Sequence, residues 1–115
     1  MVRMNALVVP NVESPRTVAA VRGGTLAEPM VRVLKAMAHR ERLAILCLLL
    51  DGEMCVRDLE HGVGMRQAAL SQQLSRLRAE NIVEAVRQGR FMLYRLKNPQ
   101  VQAVVRAVCR EIHAA

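Results

Sequence analysis

The chain has 115 residues, is 52% apolar and contains one Phe, one Tyr, no Trp and three Cys; this suits one compact domain with an aliphatic core and excludes a disulfide-rich secreted scaffold. Seventeen Lys and Arg against ten Asp and Glu give a net charge of +7, and fifteen of those cations are Arg, which favours an anionic partner such as nucleic acid or a membrane surface. The longest apolar run, Leu43–Leu50, falls far short of the ~20 residues of a spanning helix, and Asn5, Pro10, Asn11 and Glu13 interrupt any signal-type stretch, so a soluble cytoplasmic protein is expected.

Residues 1–24 read as a poorly ordered arm, with Pro10, Pro15 and Gly23-Gly24 and no sustained period. The ordered domain is expected over 25–115. Thr25 and Glu28 have the spacing of a capping box, and Pro29 falls in the first turn. Met30, Val33, Leu34 and Met37 then share one face of a helix running to about Ala38. Arg40–Leu50 reads as a second helix, apolar almost all round and therefore buried. Val56–His61 reads as a third, stopped by Gly62 and Gly64. Arg66–Ala79 reads as a fourth, with Ala69, Leu70, Leu74 and Leu77 inward.

The period then changes. Ile82–Arg87 and Phe91–Lys97 read as strands around a Gln88-Gly89-Arg90 turn. Asn98-Pro99 is a helix start, an N-cap followed by proline at the first position. The last helix carries Val101, Val104, Val105, Val108 and Ile112 as an apolar stripe. The order α-α-α-α-β-β-α is a mainly α class, and a short helix, a Gly-bearing turn and a polar-faced helix followed by a hairpin make a winged helix-turn-helix.

The polar face of the fourth helix suits base edges. Gln pairs bidentately with adenine, Arg with guanine, and Ser serves several bases. Gln67, Ser71 and Gln72 lie towards its N-terminal half, the part that meets bases, and Ala68 allows close approach. Arg76 and Arg78, further along, suit phosphates. Arg66 and Gln73 complete the candidate set on the helix, and Arg87, Gln88 and Arg90 on the hairpin suit the backbone or the minor groove. No C-x-x-C motif or Ser/His/Asp constellation points to an enzyme, so neither catalytic residues nor a cofactor are expected.

Three stretches carry a family resemblance: Leu34–His39 with Arg42–Leu46, then Ala69–Arg78, then Leu93–Leu96. They resemble the opening, recognition helix and wing of the ArsR/SmtB family of bacterial repressors, over about residues 26–112. The resemblance implies a homodimer built on the first and last helices, and repression of a two-fold symmetric operator released by an inducer. This chain departs from the family's common Ser with Arg66, at the helix N-cap, and from its common His with Gln73.

The resemblance also directs attention to Cys47, Cys55 and Cys109. The segment Glu53–Leu59 resembles the metal-binding box of the arsenic and cadmium sensors, but the second thiolate of that box is replaced by Arg57. A soft metalloid wants several thiolates, which leaves Cys55 with Cys109 as the arsenite or antimonite alternative. Zinc or nickel would find only Glu111 and His113 on the last helix. His39, His61 and His113 read as helix-end or surface residues. Cys47 in the second helix and Cys109 in the last are similar to the sulfide- and persulfide-responsive branch, which implies a small sulfur-containing inducer and two sensing thiols. Cys109 comes about one turn early for that branch, and one turn is ~5.4 Å, enough to alter which thiols pair. A Cys47 that is simply a core residue remains open.

Overall fold

The computed structural model describes residues 14–23 and 27–114. Its elements, in chain order, are α1 (Ser14–Gly23), α2 (Ala27–Met37), α3 (Arg40–Leu49), β1 (Met54–Cys55), α4 (Val56–Val63), α5 (Gln67–Ala79), β2 (Val83–Gln88), β3 (Phe91–Leu96) and α6 (Pro99–Ala114). The expected order from α2 onward is therefore present, with β1 added. Residues 14–23, expected to lie in an arm without regular structure, form α1. Pro15 stands in its first turn, where a missing N–H costs little, and Ala19, Ala20 and Arg22 are strong helix formers. Its side chains from Pro15 to Gly23 are exposed, so local propensity rather than burial accounts for it. The expected cap Thr25 lies outside the described residues.

The core is mainly aliphatic, with Met37 and Cys109 among its buried residues. Ile45, Leu46 and Leu49 of α3 meet Leu59 of α4 and Leu70, Leu74 and Leu77 of α5, joined by Ile82, Val83, Leu96, Val101 and Val105. Helix α3 is central: it packs on α4, on α6 and on β3, which follows from its being apolar on nearly every side. The inward face of α2 is Val33, Ala36 and Met37. Leu34, expected inward, is instead 56% exposed, because the i, i+3, i+4 stripe of its neighbours turns it away. Ala69, also expected inward, is exposed for the same reason: the buried stripe of α5 is Leu70, Leu74 and Leu77. Ile112, at the end of the α6 stripe, is 54% exposed.

The sheet is antiparallel with strand order β1-β3-β2. Strand β1 pairs Met54 with Tyr94 and Cys55 with Leu93. Two residues are too few to show alternation, so the sequence carried no sign of it. Arg95 on β3 ties the sheet's outer surface, its Nε donating to Glu84 Oε2 at 2.7 Å and its Nη1 to Glu53 Oε2 at 3.1 Å. Those carboxylates, Glu84 first, push the guanidinium above its already high ordinary pKa. Asn98 caps α6 as expected: its Oδ1 accepts from the Val101 N–H at 2.9 Å.

Candidate DNA interface and cysteine pair

The turn between α4 and α5 depends on one glycine. Gly64 has φ +78° and ψ +30°, and its N–H donates to Glu60 O at 2.8 Å; only glycine enters this left-handed region without a steric cost. Gly62, expected as a second stop, lies inside α4, where the helix runs close to Leu48: an ideal Cβ built there falls 2.5 Å from Leu48 Cδ1. Helix α5 then starts at Arg66, whose extended backbone (φ −73°, ψ 152°) suits an N-cap but whose side chain makes no capping hydrogen bond.

At its other end α5 closes in a Schellman motif. Asn81 (φ +61°) donates to Arg78 O at 3.0 Å and Ile82 donates to Leu77 O at 2.9 Å, with both Leu77 and Ile82 buried. Lys97 Nζ donates to Asn81 Oδ1 at 3.1 Å and the Lys97 N–H to Ile82 O at 3.0 Å. Helix α5 is thereby fastened to the hairpin that follows it.

Between these ends Arg66, Gln67, Ala68, Ser71, Gln72, Arg76 and Arg78 are all exposed. Gln73 stands apart: it is half-buried, and its Oε1 is buried without a hydrogen-bond partner. On the hairpin, Arg87 pairs with Met92 and Gln88 with Phe91. The connection is therefore the two residues Gly89-Arg90, one fewer than expected, with Gly89 at φ +63°. Arg87, Gln88 and Arg90 are exposed at this tip. So is Phe91, 62% exposed and the chain's only Phe; its apolar character had marked it only as a strand residue.

Cys47 on α3 and Cys109 on α6 are joined by a disulfide, with Cα atoms 6.2 Å apart. The early position of Cys109 thus leaves the pair within the ordinary bridging range. Cys109 is buried and Cys47 half-buried. Two depressions, of about 280 and 240 Å³, meet this bond; Leu43, Ala44 and Ile112 wall the first, and Asp51, Arg106 and Arg110 the second. Cys55 is a free, half-buried thiol on β1, in a separate depression with Arg57, Arg90 and Met92. The structure does not pair it with Cys109. Among the described residues no three His, Cys, Asp or Glu side chains stand together as a metal site, and no helix is long and apolar enough to cross a membrane.

The fold recurs in known proteins. The sequence profile of the arsR family of bacterial regulatory proteins matches residues 39–85. The transcriptional activator HlyU of Vibrio cholerae is 39% identical over 80 residues, which cover 70% of this chain and 74% of that protein. The chain belongs to the ArsR family. A biofilm growth-associated repressor of Xylella fastidiosa is 38% identical over 82 residues, covering 71% of this chain and 72% of the relative. Among solved ArsR-like structures, Vibrio cholerae HlyU superposes with a TM-score of 0.71 at 35% identity, over 76% of this chain and 96% of that one. A homodimeric winged helix-turn-helix DNA-binding domain from Mycobacterium bovis gives 0.67 at 31% identity, over 90% of each. As an ArsR-family member the chain has the winged helix-turn-helix fold and is a transcriptional regulator; its relatives are regulators, not enzymes.

Proposed function

We propose that this protein is a homodimeric repressor that holds a two-fold symmetric operator through α5 and the hairpin and lets go when Cys47 and Cys109 are joined. Leu34 on α2 and Ile112 on α6 supply exposed apolar contacts for the dimer. Arg66, Gln67, Ala68, Ser71 and Gln72 face the bases, Arg76 and Arg78 the phosphates, and Arg87, Gln88 and Arg90 the neighbouring groove or backbone. The observation that carries the switch is the placement of two cysteines, 62 residues apart in sequence, where a bond joins α3 to α6. Helix α3 packs on α4, and α4 on the reading helix α5. Two reading helices of a dimer must sit about 34 Å apart to enter successive major grooves. A bond that fixes α6 against α3 alters that spacing by changing how a dimerising helix sits on the body carrying α5.

Reactive sulfur is the inducer this pair suits. One thiolate attacks the outer sulfur of a persulfide R–S–SH, the S–S bond breaks, and RS⁻ leaves and takes up a proton. The protein persulfide is then attacked at its cysteine sulfur by the second thiolate, and HS⁻ leaves. Two protein thiols are oxidised to a disulfide while R–S–SH is reduced to RSH and H₂S. One solved HlyU structure is of that protein in its reduced form, with 37% identity to this chain and a TM-score of 0.68.

The test is a gel-shift titration on a duplex that the reduced protein selects from a random-sequence pool. A persulfide donor is expected to weaken binding at least tenfold, with mass spectrometry locating the new bond at Cys47 and Cys109. Cys47→Ser and Cys109→Ser should stay bound throughout. Equal affinity of the reduced and bonded forms would overturn the switch. Release by arsenite, lost in Cys55→Ser, would replace it with a metalloid sensor.

A further inference from the structure

The two depressions at the Cys47–Cys109 bond differ in chemistry. One is walled by Leu43, Ala44 and Ile112, with Arg40 and His113 beside them. The other holds Asp51, Arg106, Arg110 and His113, with Leu50 as its apolar wall. Arg106, Cys109, Arg110 and His113 follow one another at i, i+3, i+4 and i+7 on α6, so they form one continuous strip of its surface. At about 240 Å³ this depression is below the ~300 Å³ at which drug-sized ligand sites begin. It has room for a reacting sulfur and a short side arm. The two guanidiniums outnumber the one carboxylate, and a guanidinium fork matches a carboxylate in geometry as well as charge.

We infer that this depression is a recognition site for the carrier of the reacting sulfur, and that it selects low-molecular-weight persulfides bearing a carboxylate. The inference rests on the sulfur-sensing reading and adds a choice among donors. The carboxylate seats on Arg106 and Arg110, which brings the outer sulfur to the cysteine pair. Bond formation follows the two displacements already described, with the carboxylate-bearing thiol RSH as first product and H₂S as second. Asp51 opposes the arm and limits the gain. Because both arginines are exposed, water and salt screen the attraction, and each guanidinium contributes roughly a fivefold effect at low salt.

The experiment compares two donors alike except for charge: N-acetylcysteine persulfide and its neutral carboxamide. Each reacts with the reduced, full-length protein while mass spectrometry follows Cys47–Cys109 bond formation. The acid is expected to react about five to twentyfold faster than the amide at low salt. That ratio should fall to about one in Arg106→Ala/Arg110→Ala and in ~1 M salt, persist in part in Arg106→Lys/Arg110→Lys, and rise in Asp51→Asn. Equal rates for the two donors on the native protein, or an unchanged ratio in the double alanine variant, would overturn the site. A gel shift on the same samples separates this from the wider reading. A charge preference in a protein that keeps its duplex after bonding leaves the site standing and removes the switch. Release of the duplex without any charge preference does the reverse.

Discussion

Arg66 occupies a position where a helix start is served by Ser, Thr, Asp or Asn, and its side chain makes no capping bond. The residue therefore leaves the first turn of α5 without a side-chain cap while placing an exposed guanidinium at the end of the helix proposed to meet DNA. These two roles separate in one substitution. Arg66→Ser should stabilise the fold by about 0.5–1 kcal/mol, a rise in melting temperature of roughly 2–8 °C, while weakening operator binding and lowering the slope of log affinity against log salt by about 1 if the contact is to phosphate. Thermal unfolding and salt-dependent gel shifts read the two effects independently. The absent cap was legible in the sequence, since it concerns one side chain and its own turn. The half-burial of Gln73 was not: position within the helical wheel puts it near the boundary, and only the elements packed around α5 decide on which side of that boundary it falls.

The boundaries of α5 illustrate how elements are positioned. Gly64 before it and Asn81 after it both take positive φ, so the helix is set between two left-handed residues. Nothing lies within 4 Å of a Cβ at Gly64, so Gly64→Ala carries only the backbone cost, about 1–2 kcal/mol. A fall of roughly 4–16 °C in melting temperature is expected, and Gly64→Asn should fall less because Asn tolerates this region. Glycine as a stop was readable from composition. The Schellman closure at Asn81 was missed, because Asn is a common surface residue and its backbone angle follows from the burial of Ile82 against Leu77. The same logic moved Gly62 from an expected stop to a packing position: the close approach to Leu48 belongs to another helix.

For the whole molecule the decisive surfaces are the apolar ones left uncovered. Leu34 and Ile112 are 56% and 54% exposed and lie on the two helices through which dimerisation is proposed. Leu34→Asp together with Ile112→Asp should leave circular dichroism intact, since neither side chain is in the core, yet produce a monomer by sedimentation. Operator affinity should then fall by orders of magnitude, as a monomer holds only one half-site. A variant that stays dimeric and keeps its affinity would place the dimer elsewhere.

The sequence by itself determined the order of the helices and of the two hairpin strands from residue 27 onward, the polar face of α5 and the arginines of the hairpin. Each of these is a periodicity or a turn signal spanning a few neighbouring residues, so it is visible in one dimension. Tertiary structure alone decided that Cys47 meets Cys109 and that Cys55 does not, that Leu34 and Ala69 face outward, and that a two-residue strand completes the sheet. These depend on where α3, α6 and β3 lie against one another, and that placement is set by the summed burial of the whole aliphatic core, not by any local pattern.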